Sequence, residues 1–500
     1  MKTSAARENS DTDEDSARLR ELGYEPQLKR GLGVLGNITM GFATISPVVG
    51  LYAVVLVGAT IAGPRWVWAL PVCLVGQCLL LALYAELSSE FPISGGAYQW
   101  TRRLLGPSYA WFTGWISLCS SLLANTTIAY LAAPWAFTLV GVTPTPNQLV
   151  VAAAVFVVVC SLTNMLGVDV LRRALAMGVV AEAIASVLVG VALLLVFRSQ
   201  PWSILTEGFG TEALFDGSGF AAFVAAVAVG GWAFIGFDAC VSTSEETRNA
   251  TRHVPRAIWI ALLSVGLLVI LNAFAVVLTH PDPASVVAGA DADPVTTAVV
   301  ASFGDWSAKP FVVVVIIAFL ACGMAAQGST ARALYSVARD DVLPLSKFLR
   351  TVSRRSQAPI GGAVAVTAVA CVGLLLALNS AAMGSLITFG TSAFYLTFFL
   401  VALAALVARL RGTWVPAGRV RLGRPGTALN FGAVLWLGFE FVNITWPRAL
   451  LAPVGAPWYQ VWAAPLGTAL IVLVGLVYFA VAKPRDRVVI SSSFADRSTS

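Results

Sequence analysis

Long stretches of this chain contain no charged residue. Gly31–Pro64, Trp66–Ala85 and Leu104–Val168 lack Asp, Glu, Lys and Arg. So do Gly217–Phe237, Ala257–Pro281, Pro310–Ala331, Ser356–Ala408 and Ala449–Ala482. A helix crossing the hydrocarbon core of a bilayer needs about 20 apolar residues. The two longest runs must therefore hold two crossings each. Pro134, Pro144 and Pro146 mark one hairpin, and Asn379–Ser380 marks the other. The runs are continuous rather than alternating, which favours helices over barrel strands. Spans are expected at 34–59, 66–89, 107–134, 147–166, 172–197, 220–243, 254–279, 310–337, 359–378, 384–408, 427–446 and 458–482. The expected fold is an all-α integral membrane protein of about twelve transmembrane helices.

Composition agrees. Only 12% of residues are charged, against about 25% in a soluble domain. The net charge of +6 is spread along the chain between apolar segments, which argues against nucleic acid, whose partners gather their Lys and Arg into one patch. With the N-terminus inside, only Arg65, Arg198, Lys309 and Arg448 of 32 basic residues fall outside. This asymmetry follows the positive-inside rule and places both termini in the cytoplasm. The expected setting is the cell membrane, crossed many times. Seven cysteines lie within apolar stretches without CxxC spacing, and there are two histidines. No metal site, cofactor or disulfide is expected.

Residues 1–30 are polar and lack an apolar leader core, so a disordered cytoplasmic tail is expected there. The membrane domain covers 31–482, and a second cytoplasmic tail covers 483–500. Within the domain, 34–197 and 220–408 each hold five spans of similar length and gap, followed by two more helices in 427–482. Five is odd, so the second set enters from the opposite side, as in a five-plus-five inverted repeat.

The first span of each set is interrupted. Pro47 removes a donor in mid-span and Gly50 loosens the following turn; the sixth span carries Gly230, Gly231 and Gly236. Such breaks also serve simple helix packing. Paired breaks in two halves, however, point to a transporter binding site, because unwound backbone at membrane depth must find a partner. Trp232, Phe234 and Phe237 flank the second break and could wall a substrate ammonium, Trp232 above all. Asp238 and Glu182 are acids within spans, where a charge costs about 2.5–3.5 kcal/mol to insert, and they are candidates for coupling or gating. Glu440, outside the two sets, suits packing or oligomer contact. Glu86 and Glu90 suit interfacial solvation, and Glu245 and Glu246 suit a water-exposed inner loop near Arg248 and Arg252.

Four segments carry a resemblance: GNITMGF near residue 40, FPISGGAYQW (91–100), GFDACVSTSEETRNATRHVPRAI (236–258) and QGSTARALYSVARDDVLP (327–344). Together they resemble the amino acid–polyamine–organocation superfamily, most of all its amino acid/choline transporter family. The resemblance implies a leucine-transporter type of fold with two peripheral helices. It implies that 31–482 is a permease domain. It also implies a substrate carboxylate on the backbone of the first break, at Ser46, Pro47, Val48, Val49 and Gly50, with its amine on carbonyls from Trp232 through Phe234 and Ile235 to Gly236. Pro47 departs from the Gly-rich break of many such permeases, and a proline cannot donate.

The expectation is a secondary transporter that imports an amino acid or related amine by alternating access, coupled to protons. Its partners would be that small molecule, the proton and the lipid bilayer. A choline or polyamine carrier, or an exchanger, is the alternative. An enzyme is disfavoured, since SEET and ARDD lack a nucleophile–base or metal-ligand set. A sensor is disfavoured by tails too short for a folded domain.

Overall fold

The computed structural model describes residues 15–378, 380–452 and 455–487. Residues 1–14 and 488–500 of the expected tails, and Asn379 of the second expected hairpin, lie outside them. Among the described residues the fold is helical, and the one strand-like pairing is an isolated bridge between Leu32 and Thr247.

Among the described residues, eleven helical runs are long and apolar enough to cross a membrane. The first, Val34–Glu90, is 57 residues long. It is broken at Ser46 and again at the 3-10 turn Gly63–Trp68, so it holds two crossings. The broken first span comprises α1 (Val34–Ile45) and α2 (Pro47–Ala62), followed by α3 (Ala69–Glu90). A short α4 (Gly96–Leu105) then leads to α5 (Pro107–Val140), α6 (Pro146–Met165) and α7 (Val168–Ile184). The α7 span continues through a π turn, Ala185–Val189, to Leu195.

The sixth span divides into α8 (Gly219–Gly230), a 3-10 turn Gly231–Phe234 and α9 (Ala239–Ser242). Then follow α10 (Ala250–Thr279), α11 (Pro294–Phe303), α12 (Ala308–Ala338), α13 (Ile360–Gly373), α14 (Ser380–Leu410), α15 (Gly426–Thr445) and α16 (Ala463–Ala482).

Three local features differ from expectation. Helix α5 runs through Pro134 to Val140. The hairpin lies beyond it, where Gly141 takes a left-handed φ of 70° and Thr145 opens α6 with a reciprocal capping box to Gln148. Two ten-residue helices outside the spans, α4 and α11, were not anticipated. Residues 15–30 do not behave as a disordered tail. Leu19, Leu22 and Leu28 are buried. Asp15 caps the start of α10, accepting from Asn249 N at 2.6 Å and Ala250 N at 3.2 Å. Three leucines spaced along a polar segment are a weak periodic signal, and the acid run before them hides it.

The core sits between the two broken spans. Helix α12 packs against α1, α5, α6 and α7, while α10 packs against α1 and α3. Helices α15 and α16 stand at the edge. Leu435, Val442, Leu470 and Val477 there are exposed, as lipid-facing side chains would be.

Candidate substrate site at two abutting helix breaks

The first break is one residue long. Ser46, at φ 53° and ψ 113°, separates α1 from α2. Pro47 then occupies the first helical position, where its missing N–H costs nothing. Gly50 is regular helix, so it does not loosen the turn. Its absent side chain instead admits α2 to the second break: a Cβ there would lie 3.3 Å from Ala233 O.

The second break is longer. Helix α8 ends at Gly230, Ile235 is extended, and Gly236 has a φ of 113° that only glycine adopts readily. A Cβ at Gly236 would meet Thr44 Cγ2 at 2.9 Å. Each break therefore touches the other through a glycine. Gly231 lies under Tyr395, whose hydroxyl would be 2.4 Å from an added Cβ.

A cavity opens beside this junction. Val49 from the first turn of α2 and Trp232, Ile235 and Gly236 from the second break line it, together with Asp238. A second cavity begins at Asp238 and runs along α4, past Gly95 and Tyr98, to Val337 of α12. Ser121, Asp238, Ser329 and Phe394 border both. Asp238 is half-buried and is the one acidic side chain on the wall of the first cavity, which the Cys322 thiol also lines.

The remaining expected residues lie around rather than in this space. Ser46 Oγ accepts from Val49 N at 3.1 Å and donates to Glu182. Val48 N donates to Glu182 Oε1 at 3.0 Å. Glu182 thus sits behind the first break, in the last turn of α7 before the π turn. Phe234 is fully buried in the main core. Phe237 likewise stacks on Phe398, ring centroids 5.5 Å apart.

Ser121 and Asn125 of α5, Ser329 and Thr330 of α12 and Phe394 of α14 line the cavity without having been singled out. A signal existed. Ser121 and Asn125, and Asn125 and Thr330 across the helices, join in hydrogen bonds of 2.8 and 2.9 Å, and small polar residues inside uncharged spans mark a helix interface.

Below the cavities, the four segments quoted above converge. Asn37 donates to Cys240 O and Thr243 Oγ1, both at 2.9 Å. Glu245 pairs with Arg339 at 2.6 Å and accepts from Ser94 N at 3.2 Å. Glu246 pairs with Arg332 at 2.7 Å. Both acids are buried, so the expectation of a water-exposed loop near Arg248 and Arg252 is corrected. Their partners come from α12, far away in sequence. Burial disfavours the Arg339 cation, but Glu245 more than offsets this and holds it charged above its ordinary value. Tyr24 seals the same end, donating to Asp340 Oδ1 at 2.9 Å. Burial, then Asp340, push its hydroxyl up, so it stays a donor. Glu86 is also buried, paired with Arg409, and Glu90 accepts from Trp414 Nε1 at 3.0 Å. Neither is an interfacial, solvated acid. Glu440 is buried beside Asn443, within the bundle.

Two broken spans around a half-polar cavity define a secondary transporter. The amino acid permease family matches this chain over residues 35–479, and the chain belongs to that family. It is 29% identical over 474 residues to the amino-acid permease BAT1 homolog of Oryza sativa subsp. japonica, covering 87% of this chain and 88% of the relative. It is 27% identical to the amino-acid permease BAT1 of Arabidopsis thaliana, covering 93% of each. It is 26% identical to the branched-chain amino acid permease BcaP of Bacillus subtilis, covering 84% of this chain and 90% of that one. The chain is an amino acid transporter and not an enzyme. None of these three relatives is named for choline.

Proposed function

We propose that this permease imports an amino acid across the cell membrane by alternating access, driven by protons. The observation that carries the reading is the contact of the two breaks beside a cavity whose wall holds one acid, Asp238. Backbone freed at Gly231–Gly236 supplies carbonyls for the substrate amine, and Trp232 faces the ammonium. Val49, in the first turn of α2, lines the same cavity, and the positive end of that half-helix is where a carboxylate is favoured. Asp238 stands where both cavities meet, between the substrate and the ion-paired end formed by Glu245, Glu246, Arg332 and Arg339. It senses the occupied site and helps open that end.

Orientation follows from charge. The end that holds residues 15–33 also holds Arg102, Arg103, Arg332, Arg339 and Arg409, and the opposite end holds Arg65, Arg198 and Arg448. The positive-inside rule supports placing the first end in the cytoplasm.

The test is uptake into proteoliposomes of a panel of labelled amino acids, choline and polyamines, with and without an inward pH gradient. Concentrative uptake of an amino acid, dependent on that gradient, is expected. Asp238→Asn should lower maximal uptake about tenfold, roughly a 1.4 kcal/mol effect on the slow step, with exchange less affected than net uptake. Uptake of choline alone, or indifference to the gradient, would overturn the reading.

A further inference from the structure

The half-helix α2 begins with its donors already taken. Pro47 has no N–H. Val48 N is held by Glu182 Oε1 at 3.0 Å, Val49 N by Ser46 Oγ at 3.1 Å, and Gly50 N by Ser46 O at 2.8 Å. The Ser46 hydroxyl donates to the same Glu182 oxygen. Glu182 is fully buried, and its second oxygen, Oε2, has no partner. Among the described residues no Lys, Arg or His pairs with it. The ionisable group that faces it is the thiol of Cys322 on α12, itself beside Cys160 on α6, and the phenol of Tyr52 on α2 lies nearby with its hydroxyl engaged by Thr296 at 3.1 Å. The other charged groups of these elements are Lys309 and Arg332 of α12, the latter paired with Glu246, and Asp169, Arg172 and Arg173 at the start of α7. The side chain of the chain's own Glu182 therefore holds the donors that a substrate carboxylate would need. Val49, one turn edge away, already faces the cavity.

We propose that Glu182 and the substrate carboxylate compete for the N-terminus of α2, so that protonation of Glu182 admits the substrate and one proton accompanies each amino acid. The proposal rests on the reading of the chain as an amino acid importer. The proton enters on Oε2, the oxygen without a partner. The neutral acid is a poorer acceptor than the carboxylate for Ser46 Oγ–H and Val48 N–H, because charge-assisted hydrogen bonds are about twice as strong as neutral ones. The two donors pass to the substrate carboxylate, which takes over the favourable interaction with the positive helix end. When the substrate leaves, Glu182 loses its proton to the same side and recovers both bonds. No covalent bond changes. The π turn that follows Glu182, Ala185–Val189, provides the slack for its side chain to move without breaking the α7 ladder.

Competition of this kind has a defined signature. Proton and substrate must raise each other's affinity by the same factor. On the alkaline side of the Glu182 titration, substrate affinity should fall toward tenfold per pH unit. The experiment uses the full chain and, as probe, a 14C-labelled mixture of protein amino acids. Binding in detergent is measured between about pH 5 and about pH 8, and gradient-driven uptake and exchange are measured in proteoliposomes. In wild type, binding should weaken steeply as pH rises. Glu182→Gln should bind with little pH dependence, support exchange and fail to accumulate. Ser46→Ala keeps the acid but removes one of its two donors, so it should move the wild-type binding profile to higher pH. This variant also decides the matter if Glu182→Gln does not fold. A Glu182→Gln protein with the wild-type pH slope, an unshifted Ser46→Ala profile, or wild-type uptake with pH-independent binding would overturn the proposal and leave amino acid transport standing. A wild-type protein that binds and moves no amino acid would instead overturn the importer reading.

Discussion

At the scale of single residues, glycine sets the geometry of the site and acids set its chemistry. Gly236 was expected to interrupt the sixth span, and it does so at φ 113° on the wall of the cavity. Its missing side chain also leaves room for Thr44 at the end of α1. Adding even a methyl group must push the breaks apart and force a side chain into φ 113°, a strain of about 1–3 kcal/mol. Gly236→Ala is therefore expected to lower thermal stability in detergent and to abolish uptake, whereas Ser329→Ala, on the cavity wall, should keep stability and alter substrate preference. Equal melting and uptake for Gly236→Ala and wild type would remove the contact between breaks from the mechanism. Ser46 teaches a related lesson. The sequence pointed to Pro47 as the breaker, and the helix does restart there. The residue that turns the chain is its neighbour, which also bonds Glu182, and a serine before a proline gives no hint of a partner on α7.

At the scale of elements, the sixth span works as three pieces with different anchors. Helix α8 packs on α2, α3 and α15, the middle turn abuts α2, and α9 with residues 244–247 is tied to α1 and α12 by Asn37, Arg332 and Arg339. The two buried ion pairs are the firm part of this tie. Removing one partner of a buried pair typically costs about 3–5 kcal/mol, because it strands the other charge. Glu246→Gln should thus destabilise the fold by about that amount. The exchange Glu246→Arg with Arg332→Glu should recover part of it, as read from denaturation of the two single variants and the pair. Strict additivity of the two single effects would mean that the residues do not act on each other. Elements were the best-read level of the sequence, because uncharged runs and turn residues are local signals. The ion pairs were not legible. They join positions 86 and 94 residues apart, and Arg248 and Arg252 offered nearer partners in the chain.

At the scale of the whole molecule, the expected spans match the helices to within a few residues at most ends, and the paired interruptions fall where expected. The cavity wall was read only in part. Val49, Trp232, Ile235, Gly236 and Asp238 come from the broken spans, whose glycines and proline draw attention. Ser121, Ser329 and Phe394 come from regular helices, and only folding brings them together. Orientation is testable at this level. A single cysteine placed at the exposed Arg252 should resist impermeant thiol reagents applied to intact cells, and one placed at the exposed Ala290 should react. Labelling of the first position alone would invert the orientation.

The two glycines at the breaks also bear on how such a protein can be altered. Gly50 and Gly236 make the two broken spans a single joint, shared by two shafts with no slack between them. Changes there disturb both shafts, so a search for new substrate ranges gains little by varying those positions. The freedom lies on the other side of the cavity, where Ser121, Ser329 and Phe394 present side chains rather than backbone. A library confined to those three positions would reshape the pocket and leave the joint as it is.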